Sequence, residues 1–167
     1  GATTLKPRHL KMTDDGITLR YQAKGGKKLK RQIKNKTLGR TLHRLHDLPG
    51  AELVSWIDDT GQARAITSDQ VNERLAEITK TDGITAKTFR TWAGSEAALA
   101  IALDAEKPTI KAVSEAAAER LGNTPTIARN SYIHPAIIDL LGEDHETRQA
   151  LLKDLPVQPD LRLAERA

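Results

Sequence analysis

The sequence predicts an α+β domain that is mostly α-helical: a small N-terminal antiparallel sheet with a basic hairpin, followed by a helical bundle. Three observations predict it. Ile17–Ala23 alternates Ile17, Leu19 and Tyr21 with Thr18, Arg20 and Gln22, the period of a half-buried strand. The run Lys24–Lys28 (KGGKK) that follows supplies, in Gly25 and Gly26, the φ > 0 positions a tight hairpin needs. From Leu38 the period changes, and Leu38, Leu42 and Leu45 recur at helical spacing.

The elements follow in order. Thr3–Met12 is rich in β-branched residues and holds one proline, which suits an extended edge segment. Asp14–Gly16 is a turn, Ile17–Ala23 a strand, and Leu29–Ile33 its return. Leu38–Leu48 is a helix, Ala51–Asp58 a short strand, and Asp58–Gln62 a turn. Ser68–Lys80 is a helix with Ser68 as its expected N-cap and Val71, Leu75 and Ile78 on one face. Thr85–Ala105 is one long helix, or two broken at Gly94. Ile110–Asn123 is helical and stops at Gly122. His134–Gly142 and His145–Leu155 give two short helices. Residues 1–155 are expected to form one domain, with sheet and hairpin over 1–34 and helices over 35–155. Residues 156–167 are expected to be a tail.

Aromatic residues are only 3% of the chain, so its core must be built from Leu, Ile, Val and Ala. There is no cysteine, which rules out disulfides and thiolate metal sites. No apolar run is long enough to span a bilayer, and no membrane is expected as a partner. The net charge of +4 is unevenly placed. Residues 1–46 hold 13 Lys and Arg against 2 acidic residues, or +11, while the remainder holds 13 against 20, or −7. A basic lobe joined to an acidic one suits a polyanion bound on one face; the alternative is a solvated, lysine-rich hairpin.

Individual constellations narrow the chemistry. His43 and His46 share a helix face, but no acidic residue or third histidine stands at metal-ligand spacing, so no metal is expected. The Gly-Gly hairpin lacks the spacing of a nucleotide-binding loop, and no cofactor is expected. It does present Lys24, Lys27 and Lys28, either to phosphates or to water. In Ala86–Ser95 (AKTFRTWAGS), Lys87, Arg90, Thr91 and Gly94 share a helical face. Phe89, Trp92 and Ala93 point elsewhere and are expected to anchor the helix in the core. The Lys87–Arg90 cation pair is either a site or an ordinary surface pair. Tyr132, one of only two tyrosines, lies among Asn123, Thr124, Thr126, Asn130 and Ser131. That setting suits a hydroxyl placed for use at least as well as a packed ring.

Taken in order, "TTLKPRH", "AKGGKK", "K-x-F-R-T-W-A-G" and "L-G-N-T-P-x-x-x-R-x-x-Y-I-H-P" resemble the catalytic domain of type IB DNA topoisomerases of the bacterial and poxvirus-like branch. The resemblance runs from Gly1 to about Gly142 and implies the fold shared by those enzymes and the tyrosine recombinases. It implies that Tyr132 attacks a phosphodiester of double-stranded DNA and forms a 3′-phosphotyrosyl link. Arg90 would bond a non-bridging oxygen, Lys24 would protonate the departing 5′ oxygen, and Lys87 would assist. Asn123 stands where poxviral and eukaryotic relatives have histidine, and would donate an uncharged hydrogen bond there. Lys6, Arg8, Lys27, Lys28, Thr91 and Arg129 are the candidate DNA contacts around these five.

The chemistry is self-consistent. A phenol of pKa about 10 is a weak nucleophile at neutral pH. Fixed guanidinium groups compensate the charge that builds on phosphorus, and an acid is needed at the alkoxide leaving group. One departure stands out: the family's other essential arginine lies upstream of "TTLKPRH", and Arg8 is on the wrong side of that motif. The chain is therefore expected to be a C-terminal part of a larger, monomeric, cytoplasmic, nucleoid-associated bacterial protein. Without its N-terminal portion it should have little or no activity. Two rivals remain. A tyrosine recombinase or integrase typically carries His-x-x-Arg where this chain has Lys87-Thr88-Phe89-Arg90, and usually His at the position of Asn123. A non-catalytic DNA-binding module would function without Tyr132.

Overall fold

In the computed structural model, described here for residues 1–13, 16–23, 26 and 28–153, the chain divides into two units, Gly1–Gly83 and Ile84 onward. The turn residues Asp14 and Asp15, the hairpin residues Lys24, Gly25 and Lys27, and the expected tail lie outside the described residues.

The first unit contains the predicted sheet. Strands β1 (Leu10–Thr13), β2 (Gly16–Gln22) and β3 (Lys28–Ile33) are antiparallel in that order. Leu10 pairs with Leu19, Ile17 with Ile33, and Tyr21 with Leu29, so the apolar positions share one face. That face packs on helix α1 (Lys36–His46) in a cluster of Leu10, Ile17, Leu42 and Leu53, with Leu5, Leu19, Ile33 and Leu45 around it. Asn35 caps α1, its side-chain oxygen accepting from the Leu38 N–H at 2.9 Å. Gly26 takes φ +79° at the hairpin tip, as the Gly-Gly signal predicts. A second hairpin, β4 (Ser55–Ile57) and β5 (Ala63–Ala65), leads to helix α2 (Ser68–Thr79).

Two local expectations are corrected. Thr3–His9 is not a continuous strand: two 3-10 turns, Ala2–Thr4 and Pro7–His9, flank an extended Leu5 and Lys6, and the edge strand begins only at Leu10. Pro7 has φ preset for the first position of a turn, and the His9 ring nitrogen accepts from the Lys6 N–H at 3.0 Å, which closes it. The cap of α2 is Thr67 rather than Ser68. Thr67 Oγ1 accepts from the Gln70 N–H at 3.2 Å while Gln70 Oε1 accepts from the Thr67 N–H at 2.9 Å, a reciprocal box that Ser68 cannot make.

The second unit is helical: α3 (Ala86–Asp104), α4 (Ile110–Leu121), α5 (Pro125–Tyr132), α6 (Pro135–Asp139) running into a 3-10 turn (Leu140–Gly142), and α7 (His145–Ala150). Its core is Ala98, Ala102, Val113, Ala117, Ala118, Ala128, Ile133 and Ile137, aliphatic as the composition requires. Alanines at these contacts let the helix axes approach closely. α3 is a single helix, and Gly94 is a packing position inside it rather than a break.

The expected anchoring role of Phe89 and Trp92 is also corrected: they are 54% and 55% exposed. The buried stripe of α3 runs through Gly94, Ala98 and Ala102, where close helix contact leaves no room for large rings. At the far end, the 1%-exposed Arg148 of α7 donates to the carbonyls of Ala105 and Glu106, both at 2.9 Å, and of Glu143. Gln149 adds a bond to the Leu103 carbonyl at 2.6 Å, so α7 satisfies the open carbonyls at the end of α3.

Candidate active site

Three helix ends of the second unit meet around Tyr132. Helix α4 stops at Gly122, which adopts φ +71°, and the Asn123 N–H returns to the Ala118 carbonyl at 2.9 Å. Thr124 then caps α5, its hydroxyl accepting from the Ile127 N–H at 3.3 Å, and Pro125 occupies the first helical position. Two turns later α5 ends on Tyr132, and Ile133 is already extended. The stretch from Leu121 to Tyr132 is thus a turn and a short helix that carries a tyrosine at its C-terminal end.

Arg90, on the second turn of α3, lies against this assembly. Its guanidinium sits over the Tyr132 ring, 5.0 Å from the centroid, a cation–π arrangement. Its Nη2 donates to the Leu121 carbonyl at 3.4 Å, at the negative end of the α4 dipole. One side chain therefore touches both the nucleophile candidate and the end of the helix from which Asn123 follows two residues later. Tyr132 is half-buried, Arg90 exposed, and Asn123 half-buried. Lys87 is exposed one turn before Arg90, Thr91 is half-buried beside it, and Arg129 is exposed one turn before Tyr132.

The structure thus brings Arg90 and Tyr132 into contact and sets Asn123 and Lys87 on the elements that hold them. The remaining candidates belong to the first unit: Lys6 half-buried, Arg8 exposed in the second 3-10 turn, and Lys28 exposed at the start of β3. Lys24 and Lys27 lie outside the described residues. Among the described residues, no group of His, Asp and Glu stands where it could hold a metal ion, and no helix is long and apolar enough to cross a membrane.

Residues that sequence reasoning passed over also matter. Arg20 pairs directly with Lys30 across β2 and β3, so two like charges stand opposite one another on the sheet, and the next pair on that face, Gln22 with Lys28, adds a further cation. A like-charge pair is unfavourable in isolation and suits a surface that meets an anion. The alternation that put Leu19 and Tyr21 on one face already put Arg20 on the other.

Arg90 and Tyr132 thus stand together in the helical unit, and the other unit carries a basic antiparallel sheet. The family model for "Eukaryotic DNA topoisomerase I, catalytic core" matches residues 1–152, and the chain belongs to that family. The family's substrate is DNA and its reaction is an isomerisation of DNA topology. No curated protein matches the chain.

Proposed function

We propose that the chain is the C-terminal catalytic part of a type IB DNA topoisomerase of the bacterial and poxvirus-like branch. In this reading Tyr132 attacks the scissile phosphodiester as the P–O5′ bond breaks, and the DNA 3′ end is left on the tyrosine. Arg90 neutralises charge on the non-bridging oxygens, Asn123 donates a second, uncharged hydrogen bond, Lys87 assists, and Lys24 gives a proton to the 5′ oxygen. One phosphodiester-like bond is exchanged for another, so strand rotation and religation need neither ATP nor a cofactor. The observation that carries the reading is the Arg90 guanidinium over the Tyr132 ring, 5.0 Å from its centroid: a cation able to compensate charge on a phosphate stands beside the proposed nucleophile.

Asn123 in place of histidine supports the bacterial branch. The family's upstream arginine has no counterpart in these 167 residues, so we read the chain as needing an N-terminal portion to cleave efficiently. A monomer acting on duplex DNA in a bacterial cytoplasm belongs to the same reading.

The test is covalent adduct formation on supercoiled plasmid, without Mg²⁺ or ATP, by the protein with its upstream segment. Tyr132→Phe removes the hydroxyl and keeps the ring under Arg90. It should abolish the adduct and leave DNA binding nearly unchanged. An adduct in the Phe variant would move the nucleophile elsewhere, with Tyr21 the next candidate.

A further inference from the structure

We infer that Gly94 and Ser95 form a positioning device for Tyr132, a role that rests on Tyr132 being the nucleophile. The Ser95 hydroxyl lies between two backbone groups on either side of the α5–α6 junction. It donates to the Tyr132 carbonyl at 3.1 Å and accepts from the His134 N–H at 3.0 Å. Both groups are left open by the fold itself. Tyr132 is the last residue of α5, so its carbonyl has no partner within that helix, and His134 precedes the first helical residue of α6. One side chain on α3 therefore closes the break between two short helices at the residue proposed to attack phosphorus.

Gly94 sets how near α3 comes. A Cβ at this position would lie 2.9 Å from the Tyr132 carbonyl oxygen, 3.1 Å from Tyr132 Cβ, and 2.9 Å from Leu121 Cδ1. Two of these neighbours belong to Tyr132 itself, and the nearest of them is backbone, which cannot swing aside as a side-chain tip can. Only glycine lets the α3 backbone lie against the nucleophile's own main chain.

The consequence is geometric. Arg90 sits one turn before Gly94 on the same rigid helix. The cation over the Tyr132 ring and the hydroxyl bonded to the Tyr132 carbonyl are thus held at a fixed separation by α3. Tyr132 is gripped at its ring and at its main chain by one element, leaving few torsions between the helix and the attacking oxygen. Rate depends steeply on that placement: a displacement of about 1 Å at a reacting group costs on the order of 10²-fold. Ser95 and Gly94 touch neither substrate nor reacting atoms. They act through Tyr132.

The test separates position from folding and from binding. In the protein with its upstream segment, single-turnover cleavage of a nicked-product substrate is measured together with DNA affinity for Ser95→Ala and Ser95→Thr. Ser95→Ala should cleave and religate roughly 10²-fold more slowly with unchanged affinity, and Ser95→Thr, which keeps the hydroxyl, should recover most of the rate. Cleavage by Ser95→Ala at the wild-type rate, or a Thr variant as slow as Ala, overturns the proposal. A second measurement needs no activity: in this chain the His134 amide should be protected from hydrogen exchange, and an unprotected His134 amide in the wild type also overturns it. Tyr132→Phe run alongside keeps the two claims apart. An adduct surviving in the Phe variant overturns the nucleophile assignment and this proposal with it. Wild-type cleavage by Ser95→Ala in a protein that does depend on Tyr132 overturns the positioning role alone.

Discussion

At the scale of single residues, two positions have energetic roles large enough to measure. Gly94→Ala sets opposing effects against each other. Alanine is favoured over glycine inside a helix by about 1 kcal/mol, but the added methyl would lie 2.9 Å from a carbonyl oxygen and from Leu121. Overpacking of a close contact costs roughly 1–3 kcal/mol, so the clash should win and the variant should be less stable by ~1 kcal/mol. A lowered denaturant midpoint at unchanged slope is the expected result; a raised midpoint would mean that α5 yields freely. Arg148 is the other case. Buried at 1% exposure, it holds three backbone carbonyls at once. Arg148→Ala leaves those acceptors without their donor and opens a cavity, and should cost about 3 kcal/mol in the same experiment.

At the scale of elements, the turn of the β4–β5 hairpin is organised by one carboxylate. Asp58 accepts from the Thr60 hydroxyl at 2.6 Å, from the Thr60 N–H at 3.0 Å, from the Gln62 N–H at 2.9 Å, and from Arg64 Nε at 2.7 Å. These bonds, the Thr60 hydroxyl first, hold its pKa down from 3.8 to about 2. A carboxylate whose pKa falls on folding contributes stability above its unfolded value, and that contribution disappears as pH drops through the folded value. The hairpin should therefore keep the Thr60 and Gln62 amides protected down to about pH 3.8 and lose them as pH approaches about 2. Asp58→Asn should make that protection independent of pH over the same window. Amide shifts of Thr60 and Gln62 across an acid titration decide it; a midpoint near 3.8 would show that the bonds are not formed in solution.

Short elements also show where sequence reading ran out. Helix α5 carries no sustained apolar period, since only Ile127 and Ala128 are apolar before Tyr132. Its signals were instead the Thr124 cap and Pro125 at the first position, which mark a helix start without any hydrophobic stripe. Phe89 and Trp92 show the converse: they lie off the face that carries Lys87 and Arg90, which predicts core anchors, yet both are exposed. α4 was legible to its last residue, because Gly122 provides the left-handed stop that its φ of +71° confirms.

At the scale of the whole molecule, the charge of +11 on residues 1–46 is the feature a DNA titration reads. Arg20 and Lys30 stand opposite one another on β2 and β3. If both meet phosphates, replacing both with Gln should flatten the log–log salt slope by about 2 units, at about 0.9 per phosphate. Affinity should fall alike for unrelated duplexes, because phosphate contacts carry no sequence information. The same double variant removes a like-charge pair and should gain roughly 0.2–1 kcal/mol of stability. A protein that becomes more stable as it binds DNA less well would show that the sheet keeps this repulsion for its ligand. An unchanged slope would place DNA elsewhere.

What the sequence determined by itself is what depends on local spacing: the alternation of β2, the Gly-Gly hairpin, the aliphatic core, the stop at Gly122, and the motifs that carry Lys87, Arg90, Asn123 and Tyr132. These follow from backbone sterics and from which residue types lie one turn or two residues apart. The tertiary structure alone decided that Arg90 covers the Tyr132 ring, that Ser95 spans the α5–α6 junction, and that Gly94 is a contact rather than a break. Those groups lie 37 to 42 positions apart in the chain, and which of them meet is set by how closely α3, α4 and α5 pack. That closeness comes from alanine and glycine at the contacts, whose small size leaves no periodic hydrophobic signal but brings the backbones near enough for a hydroxyl to reach a carbonyl.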